Sequence, residues 1–407
     1  MSTDRHVIVG AGHAARRAAE TLRARDPGAH IVMIGAEPHA PYDRPILSKD
    51  ALLAEGGEQK AFIRDADWYG AQDIALRLST TVEAIDRERA VVHLHDGNEV
   101  AYDRLLLATG SRVRSFDGPV DPRVPLHYVR TLADSLVLRA ALAPGKQVAI
   151  LGGGFIGLEV AAAVTQANCT ATVIEPASVL LRRSLPHAAS QFVAALHTRR
   201  GVNLWLDTTP SAIGYRNGRA LIETSRGELE ADIVVIGIGV LPNIELAQAA
   251  GLDVNNGIVV DQQCRTADPA IFAAGEVTQH FNPLLARSVR IESWQVAENQ
   301  PAIAAANMLG DCQVYAEWPW LWSDQFDCNI QTLGMIEAEH RLMTRGNPEE
   351  GPFCVMALDE ADRLRAVVAI NAGREMGACK RLVAADRPLD PAGLANPAVP
   401  LRSMLIN

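Results

Sequence analysis

The chain has 407 residues, 48% of them hydrophobic and 21% charged, with a formal net charge of −10 at pH 7. That length suits two or three domains with substantial cores, and the acidic balance argues against nonspecific nucleic-acid binding. The N-terminus lacks a basic stretch followed by an apolar run, and the most apolar window, 148–164, is broken by four glycines and Glu159, so neither a secretory signal nor a membrane span is expected and a cytoplasmic location is the default.

The first apolar run, HVIVGAG, reads as a buried strand, HAARRAAETLRARDP as an amphipathic helix ended by Pro27, and HIVMIGAE as a second strand, together a βαβ unit. Between strand and helix lie Gly10, Gly12 and Ala15, the spacing of a dinucleotide-binding turn; the third position asks only for close helix–strand packing, which alanine allows. Glu37 ends the second strand, where a carboxylate accepts from a ribose 2′-hydroxyl. The unit repeats from Gln147: the strand QVAILG, a turn with Gly152, Gly154 and Gly157, the helix GLEVAAAVTQAN, then the strand TATVIE ending on Glu175.

One such turn is weak evidence. Two copies in strand–turn–helix context, each with an acid ending the next strand, predict two dinucleotide sites. Glycine lets the backbone approach a pyrophosphate, and the helix N-terminus offers free N–H groups and partial positive charge. The acids favour an unphosphorylated ribose, hence NADH over NADPH at the second site, although Arg182 and Arg183 follow Glu175 closely.

The six cysteines include no C-x-x-C pair, which suits buried reduced thiols better than disulfides, zinc or an iron–sulfur cluster. From about Trp318 the pattern changes. CNIQTLGMI, RLMTRG and PFCVMALDEADRLRAVVAINA read as antiparallel strands and REMGACKRLVAADRPLD as a closing helix, a separate α+β domain.

Several short motifs then stand in order: PYDRPILSK at 41–49, LLLATGS at 105–111, GIGVLPN at 237–243, IFAAGEV at 271–277, RIESWQVAENQ at 290–300 and PWLWSDQFD at 319–327. On these the chain resembles the FAD-dependent, NADH-oxidising ferredoxin reductases of bacterial Rieske aromatic-ring dioxygenase and cytochrome P450 systems. The resemblance covers essentially the whole chain. It implies a glutathione-reductase-like α/β fold: an FAD-binding domain from 1–110 and 245–318, an NADH-binding domain at 111–244, and a C-terminal α+β domain at 319–407. The first turn would then belong to FAD and the second to NADH.

The resemblance also implies roles. Gly10, Gly12, Ala15 and Glu37 would hold the FAD pyrophosphate and ribose. Arg44 and Lys49 would lie on the flavin side, with Thr109 and Gly110 lining the same site, Gly239 in its motif among the cofactor residues, and Glu276 accepting from the ribityl chain. The family usually has aspartate at that last position. Gly152, Gly154, Gly157, Glu175 and Arg183 would hold NADH. Trp294 and Gln295 would edge the isoalloxazine, and Trp322 would sit near its exposed side, with ordinary core packing as its alternative. Glu159 would pair with Lys49, the alternative being a first-turn acid that satisfies the helix dipole.

The implied partner is a [2Fe–2S] ferredoxin, met by a basic face drawn from Arg287, Arg290, Arg341, Arg345, Arg374, Lys380 and Arg381, each otherwise a solvated surface charge. A rubredoxin reductase and an apoptosis-inducing-factor-like flavoprotein are the alternatives. A redox-cysteine enzyme is disfavoured, because the first cysteine is Cys169 and PILSKD offers serine and lysine where a thiol would be needed. Monomer and weak homodimer are both compatible with the sequence.

Overall fold

The computed structural model describes residues 4–405. The chain divides into two compact units. One comprises the residues up to Ile46 with Glu58–Arg112 and Val240–Trp318; the other comprises Leu47–Gly57, Val113–Gly239 and the residues from Pro319 onward.

In chain order the principal elements begin with β1 (Arg5–Val9), α1 (His13–Arg25), β2 (His30–Ile34), β3 (Ile74–Arg77) and β4 (Arg104–Leu107). Next come β5 (Leu126–His127), α2 (Leu132–Ala141), β6 (Gln147–Leu151), α3 (Phe155–Gln166), β7 (Thr170–Ile174), α4 (His187–Arg199), β8 (Asn203–Trp205) and β9 (Ile233–Ile236). The chain then returns to the first unit for β10 (Ile271–Ala273) and α5 (Trp294–Met308). It ends in the second unit with β11 (Trp320–Gln325), β12 (Cys328–Gly334), β13 (Arg341–Gly346), β14 (Phe353–Leu358), β15 (Leu364–Ile370) and α6 (Gly373–Ala385).

The first unit is built on a parallel sheet of order β10-β4-β1-β2-β3. Val7, Ile8, Leu105, Leu106 and Leu107 are wholly buried, as expected of parallel strands covered on both faces. Leu22 and the small residues Ala15, Ala18 and Ala19 of α1 join a core with Ile8, Met33 and Ala304, so Ala15 provides the close helix–strand approach its position requires.

The second unit repeats the plan as a parallel sheet of order β8-β7-β6-β9-β5. It also carries an antiparallel sheet of order β11-β12-β15-β14-β13, with α6 packed on β15. One hydrophobic core runs through this unit, joining Val148, Ile150 and Leu158 with Ile330, Phe353, Val355 and Val368. Leu52 lies in that core, which is why residues 47–57 cluster with the second unit although the sequence reading grouped them with the first. The closing helix stops at Ala385, earlier than the sequence suggested: Asp386 takes a left-handed conformation there (φ 48°), and a short separate helix, Pro391–Ala395, follows. Among the described residues no helix is long and apolar enough to cross a membrane, and no group of three His, Cys, Asp or Glu residues is placed to hold a metal.

Candidate functional site

In the first unit, β1 gives way to α1 through Gly10 and Gly12. Gly10 has φ of +120°, and a β-carbon there would fall 2.2 Å from the Ala108 carbonyl oxygen, so the position is closed to any side chain. Gly12 is the N-cap of α1, where no side chain caps the helix and no acid stands in the first turn. The free N–H groups and the dipole are therefore open to an anion, and a glycine cradle of this kind fits a pyrophosphate.

Glu37 lies beyond β2 and is partly exposed. It accepts from Tyr42 Oη at 2.5 Å and from Arg44 Nη2 at 2.8 Å, and the Arg44 guanidinium also stacks over the Tyr42 ring at 5.2 Å. The structure thus joins Arg44 to Glu37 at the end expected to hold a ribose. Burial works against the Arg44 charge, but Tyr42 and Glu37, with a smaller share from Glu276 on the turn after β10, raise its pKa. Thr109 and Gly110 follow β4 and are held by Asn243: Thr109 Oγ1 donates to the Asn243 carbonyl and Asn243 Nδ2 donates to the Thr109 carbonyl, each at 2.8 Å. Asn243 ends the motif GIGVLPN, but its clamping role was not read from the sequence. Trp294 and Gln295 open α5, and Trp294 Nε1 donates to Asp43 at 3.1 Å.

In the second unit Gly152 mirrors Gly10, with φ of +110° and a virtual β-carbon 2.4 Å from the Gly237 carbonyl oxygen. Gly154 is the N-cap of α3, again without a side-chain cap or a first-turn acid, and Gly157 lies in that first turn. Glu175 is wired differently from Glu37. Its two oxygens accept from the backbone N–H of Gly153 at 2.7 Å and of Ala177 at 2.8 Å, so the acid braces the turn itself. The exposed Arg182 and Arg183 follow Leu181, whose N–H donates to the Gly153 carbonyl at 3.1 Å. Gly239 lies two residues past Gly237, and its carbonyl accepts from Arg114 N–H at 2.9 Å.

Glu159, one turn into α3, is buried. Its carboxylate accepts from Ser48 Oγ at 2.5 Å and Ser323 Oγ at 2.6 Å, and lies 3.6 Å from Lys49 Nζ, which also approaches Asp324 at 3.5 Å. Burial pushes its pKa up; the Lys49 charge and the serine hydroxyls pull against that. Ser48 and Ser323 are the chain neighbours of Lys49 and Trp322, so one carboxylate registers both segments. The network runs deeper. Gln325 Nε2 donates to Ser323 Oγ at 3.1 Å, and His197 Nε2 shares a bond with Gln325 Oε1 at 2.9 Å. Burial holds His197 below its ordinary pKa, and its neutral ring donates through Nε2, so every donor in the chain points toward Glu159. Motif spacing marked Glu159 and Lys49. The serines, Gln325 and His197 had no signal beyond the alternation of β11, whose Ser323 and Gln325 share one face.

Trp322 lies on the other face of β11, stacked on Trp320 with ring centroids 5.1 Å apart, and Lys380 of α6 stands 4.1 Å over the Trp320 ring. Arg374, Lys380 and Arg381 are exposed on α6, Arg287 is exposed, and Arg341 pairs with Asp362. Arg290 is largely covered and pairs with Glu292 at 2.6 Å. Arg345 requires a correction. It is only 5% exposed, and its guanidinium donates to the carbonyls of Asn396 at 2.6 Å and Val399 at 3.0 Å and pairs with Glu375, so it clasps the C-terminal segment and offers nothing to a docking partner. Of the cysteines Cys312 alone is exposed; burial pushes the Cys328 and Cys354 thiols up to about 12.

Residues 4–301 match the model of the pyridine nucleotide-disulphide oxidoreductase family, and residues 320–405 match that of the reductase C-terminal domain. The chain is 61% identical to the ferredoxin–NAD(+) reductase component of an anthranilate 1,2-dioxygenase system from Burkholderia cepacia, over 100% of both chains. It is 35% identical to putidaredoxin reductase from Pseudomonas putida, covering 99% of this chain and 97% of the relative. Among solved structures, a covalent putidaredoxin reductase–putidaredoxin complex superposes with a TM-score of 0.95 at 35% identity, covering 100% of this chain and 99% of that one.

Proposed function

The chain belongs to the pyridine nucleotide-disulphide oxidoreductase family, and from that premise we propose that it is an NADH-dependent FAD enzyme that reduces a [2Fe–2S] ferredoxin serving an oxygenase. The observation that carries this reading is the pair of uncapped helix N-termini, each behind a glycine that no other residue could replace, in a chain whose relatives are ferredoxin reductases along their full length. Gly10, Gly12 and Ala15 would hold the FAD pyrophosphate, with Glu37 and Arg44 together at its ribose and Thr109, Gly110, Glu276, Trp294 and Gln295 toward the flavin. Gly152, Gly154 and Gly157 would hold the NADH pyrophosphate, Glu175 its ribose, Arg183 a phosphate, and Gly239 would keep its loop close to the second turn.

Bound FAD supplies the chemistry: it takes two electrons as hydride and releases them one at a time. The protein's part is distance and charge. Lys49, held by Glu159 and Asp324, would supply the positive charge that favours electron density arriving on the flavin. Glu159 would orient that cation and meet the nicotinamide end of NADH. Trp322, stacked on Trp320, would line the way out. Each NADH yields NAD+, a proton and two electrons, enough for two ferredoxins. An acidic ferredoxin would dock on the exposed basic stretch of Arg374, Lys380 and Arg381, with Arg287 and Arg341 as further candidates; Arg290, covered and paired with Glu292, drops out of that face. Five of the six thiols are buried and no two stand as a C-x-x-C pair, which supports electron transfer to an iron–sulfur carrier over reduction of disulfides.

Anaerobic mixing with NADH should bleach the flavin band rapidly. Adding a [2Fe–2S] ferredoxin should restore it at a rate that falls with salt, whereas a rubredoxin or a disulfide should restore it slowly or not at all. Bleaching without reoxidation by the ferredoxin would overturn the acceptor assignment, and faster reoxidation by rubredoxin would select that alternative.

A further inference from the structure

A buried histidine opens α1, and nothing in the proposed reaction uses it. The ring of His13 is 8% exposed and lies between two carboxylates from different segments. Nε2 shares a hydrogen bond with Glu298 Oε2 of α5 at 2.6 Å, and Nδ1 makes an ion-pair contact with Asp43 Oδ1 at 2.5 Å. Arg16 Nη2 also stands 3.1 Å from Nε2, but it is shared with the Glu298 carboxylate, the stronger acceptor. An unprotonated ring nitrogen at either carboxylate distance would set its lone pair against an oxygen, so the two carboxylates favour protons on both nitrogens and an imidazolium ring.

The surroundings agree. Burial works against the charged ring, but the bonds to Asp43 and Glu298 outweigh it and raise the His13 pKa. Glu298 loses by its own burial yet is held down at about 2 by His13 and Arg16. Arg16 bonds Glu298, Arg17 pairs with it at 3.2 Å, and Trp294 donates to Asp43 from the start of α5. These groups face the ring from α1, from α5 and from the loop that carries Arg44.

We infer that His13 is a positioning residue for FAD: a doubly protonated bridge that fastens the Arg44 loop and the Trp294 end of α5 to the uncapped N-terminus of α1, while cancelling carboxylate charge beside the pyrophosphate position. This rests on the assignment of the first turn to FAD. A neutral ring has one N–H and can hold only one carboxylate; Glu298 keeps Arg16 and Arg17, so Asp43 is the one left with only the Trp294 N–H, a negative charge near an anion site. The bridge is complete below the ordinary histidine range of about 6.5 and is lost as pH rises through the raised folded-state value, so FAD retention should weaken on the alkaline side.

The test begins with the holoprotein labelled with 15N at histidine. The signal missing from His13→Gln should show protons on both ring nitrogens at pH 7.5; a neutral tautomer there overturns the inference. FAD release is then followed by the recovery of flavin fluorescence on dilution at pH 7 and pH 9.5. The native protein should release FAD faster at the higher pH. His13→Gln and Glu298→Gln should release it about tenfold faster at pH 7, the change expected for one lost charge-assisted hydrogen bond, with little further pH dependence. Native-like retention and an unchanged pH profile in both variants would overturn the role. A protein that purifies without FAD and does not take it up would instead overturn the assignment of the turn, and the ring signals would still report the bridge.

Discussion

The two glycine turns share a backbone and differ in their polar wiring. At the first, the acid Glu37 beyond β2 bonds side chains, Tyr42 and Arg44, and the helix opens with His13, Arg16 and Arg17, tied to α5 through Glu298. At the second, Glu175 bonds the backbone of its own turn, and the helix opens with Phe155 and Ile156 before the buried Glu159. A site that retains a cofactor through many turnovers gains from charged ties between separate segments. A site that must bind and release NADH gains from a turn braced locally, whose shape does not depend on the ligand.

The sharpest way to break this comparison is a matched pair at the glycines. Gly10→Ala and Gly152→Ala each drive a β-carbon into a carbonyl oxygen at a positive φ, costing about 3 kcal/mol. The first should purify with little FAD; the second should keep FAD and lose saturation by NADH. Equal FAD loss in both, read from the absorbance ratio of flavin to protein, would show that the turns are not separate sites.

Next in size is Glu159→Gln, which removes the charge facing Lys49 and leaves FAD content intact. Flavin reduction by NADH in a stopped-flow instrument should slow by roughly 100-fold, as when a preorganised electrostatic group is lost. A native rate would return Glu159 to the role of a structural acid.

Glu37→Ala and Glu175→Ala sharpen the contrast in wiring. Losing the two bonds that the Glu175 carboxylate accepts from backbone N–H groups should raise the KM for NADH about tenfold with FAD content unchanged. Glu37→Ala should leave that KM alone and lower FAD retention. If the two variants behave alike, the difference in hydrogen bonding has no functional weight.

The smallest effect is expected from Ser323→Ala, which takes one donor from the Glu159 carboxylate. That donor favours the charged form, so its loss raises the Glu159 pKa further. The acid limb of the pH profile for flavin reduction should move to higher pH, with a loss of only a fewfold at pH 8, and Ser323→Thr should restore it. An unmoved profile would detach the His197–Gln325–Ser323 chain from the site.

Much of this molecule was legible in its sequence, and the reason is geometric. A glycine turn between a β-rich run and a helical run is local, so Gly10, Gly12, Gly152, Gly154 and Gly157 declare both parallel sheets and both helix termini without knowledge of anything distant. The acids that follow β2 and β7 are legible for the same reason. Tertiary structure decided everything that joins remote segments. It drew residues 47–57 into the second core through Leu52, brought Ser48 and Ser323 onto Glu159, and enclosed Arg345 among carbonyls that no surface pattern distinguishes from solvent. His13 shows the limit most plainly. In sequence it is the variable residue of a fingerprint; only folding sets two carboxylates from distant segments against its two nitrogens and so determines its charge.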